Sequence, residues 1–426
     1  MKFHSTRDES DKTTVSEAIR RGLASDGGLY IPETLPVLGR EAFDGLESNA
    51  EIAQRLLEPF FEGDVLSDRL DEICRDTYGF PVPICEVGPK TRVLELFHGP
   101  TAAFKDVGAA FLASSLERLE SGSEELLTIL VATSGDTGAA VAAAFDGRKG
   151  CEVVVLFPQG RVSERQEKLL TCWGDNVTSL AVDGDFDDCQ KMVKDAFADP
   201  WWRANKRLSS ANSINVGRLL PQMTYYATTS LRLWRETGME PDFIIPTGNA
   251  GNSLGCLYAR EMGLPIGDVI LATNANRPIT HYLETGQWKP FETQMTLASA
   301  MDVGNPSNFE RIAHRWPDAA SLRRQVTAHR IDDETIRDTI GRGLDDWSQI
   351  WDPHTACGIA VREAIDSELA VVVATAHPAK FPDVVEPLVS QSVPIPEQMA
   401  EMMARPKSVT EIEAGLDAMT QVLRGA

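Results

Sequence analysis

From residue 126 onward, short apolar runs alternate with helix-length stretches, and this alternation constrains the fold more than any other property of the chain. The runs lie at 126–131, 152–157, 177–182, 208–211, 243–245, 269–273 and 369–375. Strands and helices in alternation imply parallel sheets covered on both faces. The length of 426 residues allows two or three domains at roughly 100–200 residues each. Two αβ units around a cleft fit best. The first 90 or so residues mix short helical patterns with prolines, as in Ile31-Pro32, Leu35-Pro36 and Pro81-Val82-Pro83, and read as a separate leading domain. No internal repeat or low-complexity tract is visible, and the end after Pro382 reads as helical packing.

Four segments carry chemistry. In Phe97-His98-Gly99-Pro100-Thr101-Ala102-Ala103-Phe104-Lys105-Asp106, one lysine follows small and aromatic residues with glycine and proline upstream. A desolvated lysine loses its proton more readily, which suits Schiff-base and general-base work. A solvated lysine at a helix start reads equally well from this segment alone. Pro246-Thr247-Gly248-Asn249-Ala250-Gly251-Asn252 follows the apolar Phe243-Ile244-Ile245 and precedes a helix-like stretch. Strand, glycine loop and helix make a phosphate cradle, because backbone amides crowd the anion and the helix start favours its charge. The spacing is neither G-x-G-x-x-G nor G-x-x-x-x-G-K-[ST], so a dinucleotide or nucleoside triphosphate is not indicated. A loop without a functional role is the alternative.

The third segment, Ala132-Thr133-Ser134-Gly135-Asp136-Thr137-Gly138, opens an alanine-rich helix and presents hydroxyls and amides. It suits a carboxylate or phosphate, or else an ordinary helix cap. The fourth, Ala374-Thr375-Ala376-His377-Pro378-Ala379-Lys380-Phe381, ends a buried-looking strand. Polar groups just past the carboxyl end of a parallel strand lie where open α/β sheets put their ligands.

In content and order these segments resemble the threonine synthase family. The resemblance runs from Gly22-Leu23-Ala24-Ser25-Asp26-Gly27-Gly28-Leu29-Tyr30-Ile31-Pro32-Glu33 through Met301-Asp302-Val303-Gly304-Asn305-Pro306-Ser307-Asn308-Phe309-Glu310-Arg311 to Asp352-Pro353-His354-Thr355-Ala356. It implies an α/β protein: two doubly wound αβ domains flanking a pyridoxal 5′-phosphate cleft, of the tryptophan synthase β-like fold type II, after an N-terminal α/β domain. The expected units are 1–92, 93–125 with 236–400, 126–235, and a helical segment at 401–426. The implied reaction converts O-phospho-L-homoserine and water to L-threonine and phosphate, by γ-elimination and β-addition of water.

Carried over by the resemblance, Lys105 binds the cofactor covalently and shuttles protons. Gly248, Asn249, Ala250, Gly251 and Asn252 take the cofactor phosphate, and Thr375 meets the pyridine nitrogen. Asp136 meets the ring's 3′ oxygen, where related synthases can carry asparagine; an ionised Asp136 would disfavour an ionised oxygen beside it. Asn212 and Arg218, in Asn212-Ser213-Ile214-Asn215-Val216-Gly217-Arg218, take the substrate phosphate, since arginine's planar fork of donors matches that anion. Thr133, Ser134 and Thr137 add contacts to that phosphate or to the substrate carboxylate. Arg218 as a surface cap is the bland alternative. His98 and His377 belong near the cleft, His354 reads as structural, and Trp201-Trp202 as packing.

The formal charge of −22 argues against nucleic acid or an anionic membrane as a partner, so an anionic substrate must meet local positive groups. Seven cysteines show neither C-x-x-C nor zinc-ligand spacing and read as reduced thiols of a cytoplasmic protein, with no metal. The polar start and the lack of a run of about 20 apolar residues predict no signal peptide and no membrane span. A monomer or homodimer is expected. Two other classes stay open: a related lyase that stops after phosphate elimination or acts on another amino acid, and a catalytically silent homologue.

Overall fold

Each of the seven apolar runs becomes a strand with buried faces. The computed structural model describes residues 1–133 and 135–424. In chain order its strands are β1 (Phe3–Ser5), β2 (Tyr30–Pro32), β3 (Ile84–Gly88), β4 (Thr91–Glu95), β5 (Leu127–Ala132), β6 (Cys151–Pro158), β7 (Val177–Asp183), β8 (Arg207–Ser210), β9 (Asp242–Pro246), β10 (Val269–Thr273), β11 (Val326–Arg330), β12 (Ala370–Ala374) and β13 (Thr410–Glu413).

Successive side chains on a strand point to opposite faces, and here both faces are packed. In β5, Leu127, Ile129 and Val131 enter the main core, while Leu130 and Ala132 enter a second. In β12, Val371 and Val373 face the main core, and Ala370, Val372 and Ala374 face a third. A polar residue on either face would lose its hydration without a partner, so these strands are almost wholly apolar, and the one buried hydroxyl in β5, Thr128, donates to Glu152 Oε1 at 2.5 Å.

The larger sheet has the order β11-β10-β9-β12-β4-β3 and is parallel except for the β3–β4 pair. The second has the order β13-β7-β6-β5-β8 and is parallel throughout. The short β1–β2 pair is antiparallel. In the larger sheet the chain steps from β9 outward to β10 and β11, then returns to insert β12 on the other side of β9. In the second it steps from β5 to β6 and β7, then returns to β8 on the other side of β5. Each reversal sends the loops at neighbouring strand ends apart and opens a crevice, where doubly wound sheets hold their ligands. The loops at these reversals follow β9, β12, β5 and β8, and all four belong to segments singled out in the sequence.

Some strands carry no apolar run. β11 reads Val-Thr-Ala-His-Arg and is an edge strand with partly exposed side chains. β13 reads Thr-Glu-Ile-Glu and is an edge strand of the second sheet, pairing with β7. The carboxyl-terminal region, expected to be helical, therefore contributes a strand between the helices Glu397–Ala404 and Leu416–Arg424. β3 and β4, at the end of the proline-containing leading region, extend the larger sheet. Among the described residues no helix is long and apolar enough to cross a membrane.

Candidate active site

Lys105 is the first residue of the helix Lys105–Leu119. The segment before it lies against the exit of β12: Ala103 bridges Ala376, Phe104 N donates to Thr375 O at 2.9 Å, and His377 N donates to Ala102 O at 3.1 Å. These bonds set the lysine beside Thr375. The side chain keeps some solvent access, yet burial pushes its amine down to about 8; Asp136 opposes the shift, and Lys380 and Arg218 add to it. Asp106, next in the chain, turns away to accept from Thr101 N at 2.9 Å and from the Thr101 hydroxyl at 2.5 Å. Burial pushes its carboxyl up to about 6, with the Thr101 bonds and Lys380 opposing.

Asp136 opens the helix Asp136–Phe145 after β5. It pairs with Lys380 Nζ at 2.8 Å, and both side chains are essentially dry. Burial works to raise the carboxyl, but Lys380 and Lys105 overcome it and hold Asp136 ionised, well below the usual carboxylate range. Lys380 also donates to Thr101 O at 2.7 Å. Thr133 is buried, and its hydroxyl accepts from Gly135 N at 3.0 Å and Gly138 N at 2.9 Å. It shapes the loop. Thr137 is partly exposed in the first turn of the helix, and Ser134 lies outside the described residues.

The loop after β9 has the close approaches that a cradle requires. A Cβ on Gly248 would lie 2.6 Å from the Met301 Cα. Ala250 takes a left-handed backbone with φ 59°, just before the helix Gly251–Glu261; a non-glycine residue in that region carries strain that its surroundings must hold. Asn249 bridges two neighbouring loops, donating to Ser213 Oγ and accepting from Ser307 N, each at 2.5 Å. Asn252 Oδ1 accepts from the Tyr226 hydroxyl at 2.5 Å, which fixes the amide so that Nδ2 is its free end. Among the described residues that Nδ2 is buried without a partner. An orphaned buried donor at a helix start costs free energy until an acceptor arrives, and a phosphate supplies one. These residues fit pyridoxal phosphate.

Arg218 sits in the short helix Val216–Leu219, only 3% exposed. One guanidinium nitrogen donates to Ala211 O at 2.5 Å, while among the described residues Nε has no partner. Among the described residues it forms no ion pair with a carboxylate, and burial pushes it down to about 10. It packs where Gly108 of the lysine helix leaves room: a Cβ there would lie 3.0 Å from Nε. Asn212 Nδ2 donates to Ala132 O at 2.9 Å, tying this loop to the end of β5. Thr375 is buried at the end of β12, and among the described residues no protein group bonds its hydroxyl.

Apart from Ser134, the expected site residues thus follow the ends of β4, β5, β8, β9 and β12, with Asn249, Asn212 and Thr133 already bonded to protein. Three residues that sequence reasoning did not assign stand among them. Lys380 carries the same signal as Lys105, one cation in an apolar stretch. Tyr226 carries none, being one of three aromatics in the helix Met223–Thr237. Arg311, fully buried, donates to Tyr30 O, Ile214 O and Asn308 Oδ1 at 3.1, 2.6 and 2.6 Å, so it fastens the leading domain to the Asn212–Arg218 loop. His377 is held near 4 by burial and accepts from Ala379 N at 3.1 Å. His98 pairs with Glu95 at 2.6 Å. His354 is buried, bonded to Asp352 at 2.7 Å and accepting from Ala300 N, a structural arrangement.

Comparison with known proteins gives matches along the whole chain. Residues 92–375 match the family described as pyridoxal-phosphate dependent enzyme, residues 2–78 the threonine synthase N terminus, and residues 355–423 the threonine synthase C-terminal family. A threonine synthase of Serratia marcescens is 38% identical over 100% of this chain and 99% of its own. The crystal structure of a pyridoxal-phosphate-bound threonine synthase from Brucella melitensis superposes with a TM-score of 0.92 at 36% identity, covering 100% of this chain and 99% of that one. The Escherichia coli threonine synthase structure gives 0.90 at 35% identity, with 100% of both chains covered.

The desolvated amine has a direct readout. In the cofactor-free full-length protein, acetylation at Lys105 followed by mass spectrometry should show a midpoint near pH 8, whereas a midpoint at the ordinary 10.5 would contradict the burial described above.

Proposed function

Because this chain belongs to the threonine synthase family of pyridoxal-phosphate enzymes, we propose that its cleft converts O-phospho-L-homoserine and water to L-threonine and phosphate, with Lys105 as the reacting amine. Bound pyridoxal phosphate supplies an electron sink for carbanion character at the substrate's α and β carbons. The chain's own residues do the rest. Asn252 Nδ2 and the amides of Gly248, Ala250 and Gly251 would hold the cofactor phosphate at the helix start, with Asn249 bracing the loop. The Thr375 hydroxyl would face the ring nitrogen, and Asp136 the 3′ oxygen.

Lys105, with a proton affinity set near neutrality, can take a proton from a substrate carbon and return it to another, which an ordinary lysine at pH 7 could not do. The observation that carries the substrate reading is Arg218: a buried guanidinium that among the described residues has an unpartnered Nε and forms no ion pair, in the electrostatic field of Lys105. Burying an unpaired cation is costly. A dianionic phosphate ester that brings its own charge removes that cost. Asn212 and Thr137 would complete the substrate contacts, while Thr133 keeps their loop in shape.

Two outcomes test the reading. Incubation with O-phospho-L-homoserine should yield L-threonine and inorganic phosphate in equal amounts; release of phosphate with 2-oxobutyrate would instead identify a lyase that stops at elimination. Tyr226→Phe removes the bond that orients Asn252, at a cost of about 0.5–1.5 kcal/mol for one hydrogen bond. Cofactor dissociation, followed by fluorescence, should therefore weaken roughly 2- to 12-fold, and an unchanged affinity would remove Asn252 from the cradle.

A further inference from the structure

The Lys105 amine shares its surroundings with a second buried cation. Lys380 is fully buried just past β12, yet its ammonium reaches across the cleft to Asp136, which follows β5 of the other sheet. Its remaining contact, to Thr101 O at 2.7 Å, lies in the loop that leads to Lys105. Asp136 is bonded to Lys380 and also lies in the field of Lys105, with Gln166 Nε2 at 3.5 Å as a further donor. Resting on the proposal that Lys105 is the reacting amine, we infer that Lys380 is a positioning residue for it: by occupying Asp136, Lys380 keeps that carboxylate from capturing Lys105 as an ammonium ion.

The electrostatics run one way. The groups that act on Lys105 are Asp136, which favours its charged form, and Lys380 and Arg218, which disfavour it. Asp106 is committed to Thr101, and His354 acts on Asp136 from behind. Removing Lys380 leaves Asp136 with Lys105 as its remaining lysine partner in a dry site, where an ion pair is little screened. Both the lost repulsion and the freed carboxylate then raise the proton affinity of Lys105. An ion pair that merely joined the two sheets would move Lys105 only through a loosened, wetter site, so that any upward shift would come with a lowered Tm. The charge effect instead shifts Lys105 in a variant whose Tm is kept.

The test is pH-dependent acetylation of Lys105 in the full-length, cofactor-free protein. Lys380→Met should move the midpoint upward by a unit or more, so that labelling at pH 8 falls severalfold to tenfold, whereas Lys380→Arg should stay close to the unaltered protein. If the methionine variant does not fold, Lys380→Gln, which can still donate to the Thr101 carbonyl, should show the same upward move. Folded Met or Gln variants that titrate like the unaltered protein would overturn the inference. Failure of the underlying reading is separate: the unaltered protein would then form no threonine from O-phospho-L-homoserine.

Discussion

The site depends on a short stretch of backbone pairing between the lysine segment and the exit of β12. The Ala103–Ala376 bridge and the flanking bonds from Phe104 N and His377 N fix the first turn of the lysine helix against the end of a central strand. A lysine amine can be kept dry only if the chain around it cannot give way to admit water. This pairing provides that rigidity. It also ties Lys105 to Thr375 and Lys380 on one side, while Asp106, locked onto Thr101, shapes the turn from below.

A second consequence concerns charge. The molecule carries −22 overall, yet Lys105, Lys380 and Arg218 converge on the cleft against one ionised carboxylate, Asp136, and one, Asp106, whose proton affinity is raised. The local field thus opposes the global one. The two phosphoryl groups of the proposed reaction would call for such a reversal, because hydrogen bonds from a helix start alone leave a dianion undercompensated. The far reach of Arg311, from Tyr30 of the leading domain to Ile214, shows how remote parts of the chain hold the Arg218 loop in place.

Much of this was legible in the sequence, for identifiable reasons. Central strands buried on both faces cannot be polar, so β5, β6, β7, β9, β10 and β12 appear as apolar runs; the edge strands β11 and β13 need not be, and left no such trace. Lys105, the loop Gly248–Asn252, Thr375 and Arg218 stood out as candidates because polar groups at or just past strand ends and at helix starts stand against apolar backgrounds. Lys380 carried the same signal, but its role depends on a partner in another sheet, which no local pattern records. Tyr226 and Arg311 act through single bonds to distant loops, visible only after folding. The idle hydroxyl of Thr375 and the occupied one of Thr133 look alike in a sequence and differ only in which way the fold turns them.

The most direct test uses the competition between the two buried lysines. Borohydride reduction of the protein with bound pyridoxal phosphate, followed by peptide mapping, should leave the pyridoxyl group on Lys105 alone. A label on Lys380, on any other lysine, or on none would contradict the account at its centre.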